Sequence, residues 1–172
     1  MTSLPALPPL IRDERLNWIL ACAGVALAVA IIIVFGHPHP HAPHLALLAR
    51  QPLAIKLHLA CALAALLIGS AQMARIKGDR LHRILGWSWV ALMGATAASS
   101  FFVRTLNPGH FSLIHGLSAY VLIALPIAVI AARRGEIAAH RGWMTGLYAF
   151  ALLVAGAFTF APGRLMWALF LG

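Results

Sequence analysis

Acidic side chains are almost missing from this sequence: there are four in 172 residues, Asp13, Glu14, Asp79 and Glu136. Charged residues of both signs make up only 10 % of it, against about a quarter in a soluble domain. That scarcity excludes an ordinary water-facing surface. Cysteine is also sparse. Cys22 and Cys61 fall in separate apolar runs, without the spacing of a zinc site or a redox pair, and read as small apolar filler. The sequence has no glycine-rich nucleotide-binding motif and no length to spare for a flavin domain. No carboxylate lies within any long apolar run, which argues against carboxylate-based proton-coupled transport, although histidine alone can relay protons.

Apolar residues, by contrast, make up 62 %. They gather in runs from Leu16 to Gly36, Leu57 to Ala74, Ile84 to Val103, Thr105 to Ala132 and Gly142 to Gly163, each near or above the roughly 18 residues that a spanning helix needs. The expected fold is an all-α integral membrane protein of five transmembrane helices, with a four-helix core made of two helix-pair repeats. One membrane domain, 1–172, then divides into an arm (1–15), an anchor helix (16–36), a first helix pair (53–104) and a second (105–164). Pro5, Pro8 and Pro9 keep the arm from being regular helix. The first helix has a signal-peptide alternative, because Ala28-Val29-Ala30 resembles a cleavage triplet; Ile31 to Phe35 continue the apolar run, so an uncleaved anchor is expected.

The formal charge of +9 is read as topology and not as a nucleic-acid surface. With the N-terminus in the cytoplasm, Arg12, Arg15, Arg75, Lys77, Arg80, Arg83, Arg133, Arg134 and Arg141 lie inside, nine against Arg50, Lys56, Arg104 and Arg164 outside. The positive-inside rule favours that orientation and puts the C-terminus outside. Trp18, Trp87, Trp89 and Trp143 then sit near cytoplasmic helix ends, as interfacial anchors do.

Histidine is where chemistry enters. His58 and His82 are 24 residues apart, His115 and His140 are 25 apart, and each second histidine is followed by arginine. At about 1.5 Å per helical residue, this spacing forms two tiers: His58 with His115 near the outer face, His82 with His140 near the inner one. Paired neutral imidazoles between helices rich in glycine and alanine are the ligands that b-type haem takes. Up to two haems are expected, with Arg83, Arg141, Arg104 and Arg164 available to their propionates. The alternative is structural: His82-Arg83 and His140-Arg141 touch lipid phosphates, while His58 and His115 tie helices together. A second concentration, His37, His39, His41 and His44 in a His-Pro strip, is either a zinc, copper or nickel site or a solvated linker. A flexible strip favours the linker, since a definite site needs fixed geometry.

His82-Arg83 with Gly86-Trp87, Ser100-Phe101, Phe111-Ser112 with Ile114-His115, His140-Arg141 with Met144, and Pro162-Gly163-Arg164 carry a family resemblance. From about Lys77 to Arg164 the chain resembles bacterial multi-pass membrane proteins known only as a predicted membrane domain of unknown function. This implies residence in the bacterial inner membrane and brings no activity. In architecture alone, histidines paired at two depths are similar to the di-haem transmembrane cytochromes of the ascorbate-dependent and ferric-reductase type. The expectation is an electron-transfer protein which, lacking a nucleotide-binding motif, takes its electrons from a quinol or a redox partner protein. The alternatives are a non-redox accessory or assembly subunit and a metal-handling membrane protein.

Overall fold

A computed structural model describes residues 14–103 and 113–172 and is helical throughout, with no strand among the described residues. In chain order the elements are α1 (Glu14–Gly36), the short α2 (Leu45–Ala49), α3 (Leu53–Ala74), α4 (Arg80–Ser100) and α5 (Leu113–Arg133). Then come α6 (Ile137–Gly146), a π-helical segment (Leu147–Val154), α7 (Ala155–Phe158) and α8 (Leu165–Phe170). Four helices are long and apolar enough to cross a membrane: Arg15–Gly36, Leu53–Ala74, Ile114–Arg133 and Ile137–Phe158. The fifth expected span, α4, has 21 residues and the length to match. Arg80, Arg83, Ser88, Thr96, Ser99 and Ser100 keep its hydropathy below that of the others.

Helices α3 to α6 pack in succession as antiparallel neighbours. α3 lies against α4, α4 against α5 and α5 against α6, while the π segment touches both α3 and α5 and so closes the bundle. α1 packs outside this ring, against α6, the π segment and α7. Stripes at helical spacing explain the arrangement. α4 buries Trp89, Met93, Ala97 and Ser100; α3 buries Ala65, Gly69 and Gln72 along its lower half. On α1, Asn17, Ala21 and Ala28 are buried, and a Cβ at Gly24 would stand 3.0 Å from Val154. Small residues on these stripes let the helices approach closely.

Two turns at one end of the bundle set the helix starts. Asp79 caps α4 by accepting from the His82 backbone N–H at 2.6 Å, and its other oxygen takes Arg75 at 2.7 Å. α5 ends in a Schellman closure: Glu136 N–H donates to the Ala131 carbonyl, Gly135 N–H to Ala132, and Gly135 takes φ +75°. The chain re-enters helix at once, so α6 begins at Ile137 and carries His140 within it, earlier than the apolar run alone implies. We call this the basic-turn end and the opposite one the loop end.

At the loop end the His-Pro strip is held in place. His39, His41 and His44 donate their backbone N–H groups to Leu171, Phe170 and Leu169 at 2.8, 3.1 and 3.1 Å. His37 takes φ +48°, and Trp167 packs where a side chain at Gly36 would go. The strip is therefore pinned to the C-terminal segment, unlike the flexible linker its composition implies.

Candidate functional site

Each candidate histidine is positioned by the helix beside it. At the loop end, His58 on α3 is half-buried and donates through Nδ1 to the Thr96 carbonyl of α4 at 2.9 Å, with Ser99 Oγ 3.3 Å from the same nitrogen. A carbonyl can only accept, so Nδ1 carries the proton and Nε2 keeps its lone pair. His115 on α5 is only 5 % exposed, and its ring centre lies 5.9 Å from that of Phe101, just past the end of α4. One turn further along α5, Ser118 hydrogen-bonds Ser100 of α4. Thus His58 and His115 reach the last turn of α4 from two different helices, and that turn is what joins them.

At the basic-turn end, His140 on α6 repeats the pattern of His58. Its Nδ1 donates to the Ala128 carbonyl of α5 at 3.0 Å. His82 opens α4; its carbonyl accepts from Gln72 Nε2 at 2.9 Å, and its Nδ1 is buried without a hydrogen bond. His82 and His140 thus both lie at the basic-turn end, in the first turns of α4 and α6.

Of the arginines expected at haem propionates, Arg83 is exposed and gives Nη1 to the Gly78 carbonyl at 3.0 Å. Arg141 is exposed at the same end, and Arg164 is half-buried at the loop end, where it precedes α8. Arg104 lies outside the described residues. In the His-Pro strip, the His41 and His44 rings stack with centres 4.2 Å apart. His41 places Nδ1 2.8 Å from the Ala42 carbonyl and Nε2 2.9 Å from that of Gly172. Among the described residues no three His, Cys, Asp or Glu side chains converge as a metal site.

Composition did not single out a group of polar side chains buried in the basic-turn half. Asn17 (0 % exposed), Trp89 (5 %) and Gln72 (7 %) each hold a polar atom with no hydrogen-bond partner: both amide atoms of Asn17, Trp89 Nε1 and Gln72 Oε1. Gly69 lies between Trp89 and Tyr148, and the Tyr148 hydroxyl meets Ser70 Oγ at 2.8 Å. The signal was present in the periodicity, since Gln72 continues the Ala65–Gly69 stripe. Trp87 and Trp89 were both expected at the interface. Two residues apart on a helix they point about 200° apart, so Trp87 is exposed and Trp89 enters the core. Cys22, expected to be buried filler, is exposed on α1.

Residues 55–171 match the family described as predicted membrane protein, DUF2306. The chain belongs to this family. The match takes in nearly all of α3 to α8, and with them all four tiered histidines, and begins well upstream of Lys77. No curated protein and no solved structure is detectably similar to the chain. The DUF2306 assignment makes this a membrane protein, and four of its described helices are long and apolar enough to cross a bilayer.

Proposed function

We propose that this DUF2306 protein is a b-type haem protein of the bacterial inner membrane that passes electrons across or within the bilayer. In this reading α4 is a fifth spanning helix, shielded by α3 and α5. The basic turns lie in the cytoplasm together with the N-terminus, and the C-terminus lies outside. The helix pairs α3–α4 and α5–α6 are the two repeats.

One observation carries the reading: His82, in the first turn of α4, buries a ring nitrogen that has no hydrogen-bond partner, at the same end of the bundle where the first turns of α6 present His140. The ligand chemistry fits. His140 is held by the Ala128 carbonyl with its Nδ1 protonated, the anchoring that fixes a metal-binding imidazole and raises the basicity of its other nitrogen. His82 contributes a buried ring nitrogen that lacks a hydrogen-bond partner, an atom whose burial has to be offset by a ligand or water. His58, anchored in the same manner on Thr96, would serve an outer haem with His115. Bound between such imidazoles, haem supplies a reversible one-electron iron couple. The protein's part is to orient the rings, bury the centre among Leu, Met and aromatic side chains, and place Arg83 and Arg141 at the inner face. A quinol or a partner protein would deliver the electron.

A second reading has its own support. The His58–Thr96 and Ser100–Ser118 bonds also tie neighbouring helices, as a non-redox accessory or assembly subunit requires. The visible spectrum of protein purified after haem-replete expression, oxidised and then dithionite-reduced, separates the two. Sharp reduced α and β bands support the cytochrome; a colourless preparation sinks it and leaves the accessory subunit.

A further inference from the structure

A groove of about 430 Å³ runs down the loop-end third of α3, walled by Leu45 and Leu48 of α2 and by Lys56, Leu59, Ala60 and Leu63 of α3. Its size falls in the range of small-molecule sites, yet its lining holds one polar group, the Lys56 ammonium. We propose that it binds one acyl chain of an anionic phospholipid, with the lipid phosphate held at Lys56 and Arg50.

The lining and its direction identify the chain. α3 is one of the helices able to span the membrane, so a groove along it follows the bilayer normal. From Lys56 to Leu63 the descent is about 10 Å at 1.5 Å per residue, through leucine and alanine side chains only. Lys56 lies one turn inside the helix start at Leu53, the depth at which a lysine reaches up to the headgroup layer.

Charge identifies the headgroup. Arg50 caps α2 at the same end, both cationic side chains are exposed, and neither makes a hydrogen bond or ion pair among the described residues. No acidic residue occurs between Glu14 and Asp79, so nothing on this segment neutralises them. A lipid phosphate supplies the missing anion. The other wall is fixed in advance, because the His44 N–H, at the N-cap of α2, donates to Leu169 and α2 rests on α8. The groove is thus a preformed slot and not a gap left by a loose helix. This proposal is independent of the haem reading, and its test does not involve haem.

Native mass spectrometry of the delipidated full chain, titrated with dioleoyl phosphatidylglycerol or dioleoyl phosphatidylcholine, tests it. Wild type should retain one phosphatidylglycerol preferentially. Lys56→Gln and Arg50→Gln should each weaken that binding roughly fivefold, since a basic residue near the lipid surface contributes about 1 kcal/mol, and should leave phosphatidylcholine unchanged. Ala60→Trp, which fills the groove, should weaken both lipids. Both glutamine substitutions are at exposed positions, so they remain informative if the Trp variant fails to fold. Equal retention of the two lipids by wild type, or unaltered phosphatidylglycerol binding in both glutamine variants, would overturn the proposal.

Discussion

The Nδ1 of His140 lies 3.0 Å from the carbonyl oxygen of Ala128, a bond from the start of α6 to the basic-turn third of α5. Its proton position leaves Nε2 as the only metal-binding atom of that ring. If His140 and His82 share a haem, His140→Ala and His82→Ala should each reduce haem per protein by about half, from two centres to one. The pyridine haemochrome assay measures this. Full haem content in both variants would show that the inner pair is not the ligand set.

Gly69 stands where α3 meets Trp89 and Tyr148. A Cβ there would come within 2.5 Å of Tyr148 and 2.8 Å of Trp89 Nε1, whereas one at Gly94 would meet nothing within 4 Å. Gly69→Ala should therefore destabilise the protein by about 1–3 kcal/mol, the usual cost of overpacking. Gly94→Ala should be neutral or stabilising by up to about 1 kcal/mol, because alanine is the better helix former. Reversible unfolding in mixed micelles gives both values. Equal effects would mean that α3 does not approach the π segment this closely.

The contrast between these glycines marks how far the sequence could be read. Apolar runs announced the four helices able to span, because a helix in lipid must be nearly continuous in hydrophobicity, while α4 with its polar residues falls short of them. Histidine spacing announced two tiers, because helical rise converts sequence separation into depth. Rotation about the helix axis was harder: the α4 stripe through Trp89, Met93 and Ala97 assigns Trp89 to the core, but its neighbour Trp87 obscured the pattern. The start of α6 was missed because Gly135 closes one helix and releases the chain straight into the next. Nothing in residues 37–44 foretold their bonds to residues 169–171, since backbone donors and acceptors are common to almost every residue.

Ser100 and Ser118 bind each other across the α4–α5 contact, both buried. In a membrane bundle such a bond contributes on average about 0.6 kcal/mol and at most about 1.7. Ser118→Ala should lose an amount in that range. Each hydroxyl also has a carbonyl of its own helix to bond, Ala97 for Ser100 and Ile114 for Ser118, so the remaining serine is not orphaned. The double variant Ser100→Ala/Ser118→Ala should then cost little more than either single one. Strict additivity of the two losses would show that the hydroxyls do not interact.

Asn17 makes the sharpest demand on the bundle. Its side chain is 0 % exposed, both amide atoms lack a hydrogen-bond partner, and the nearby backbone is Gly146, where a Cβ would stand 3.8 Å from Nδ2. An unpartnered buried amide costs about 1–3 kcal/mol, while an apolar replacement of similar shape removes that cost. In a dry contact between α1 and α6, Asn17→Leu should raise stability by about 1 kcal/mol and leave any haem spectrum untouched, because the substitution lies on a helix that carries no histidine. Unfolding and spectra of the same preparation measure both. A fall in stability would mean instead that water or a ligand completes the amide, making Asn17 part of a hydrated site between α1 and α6.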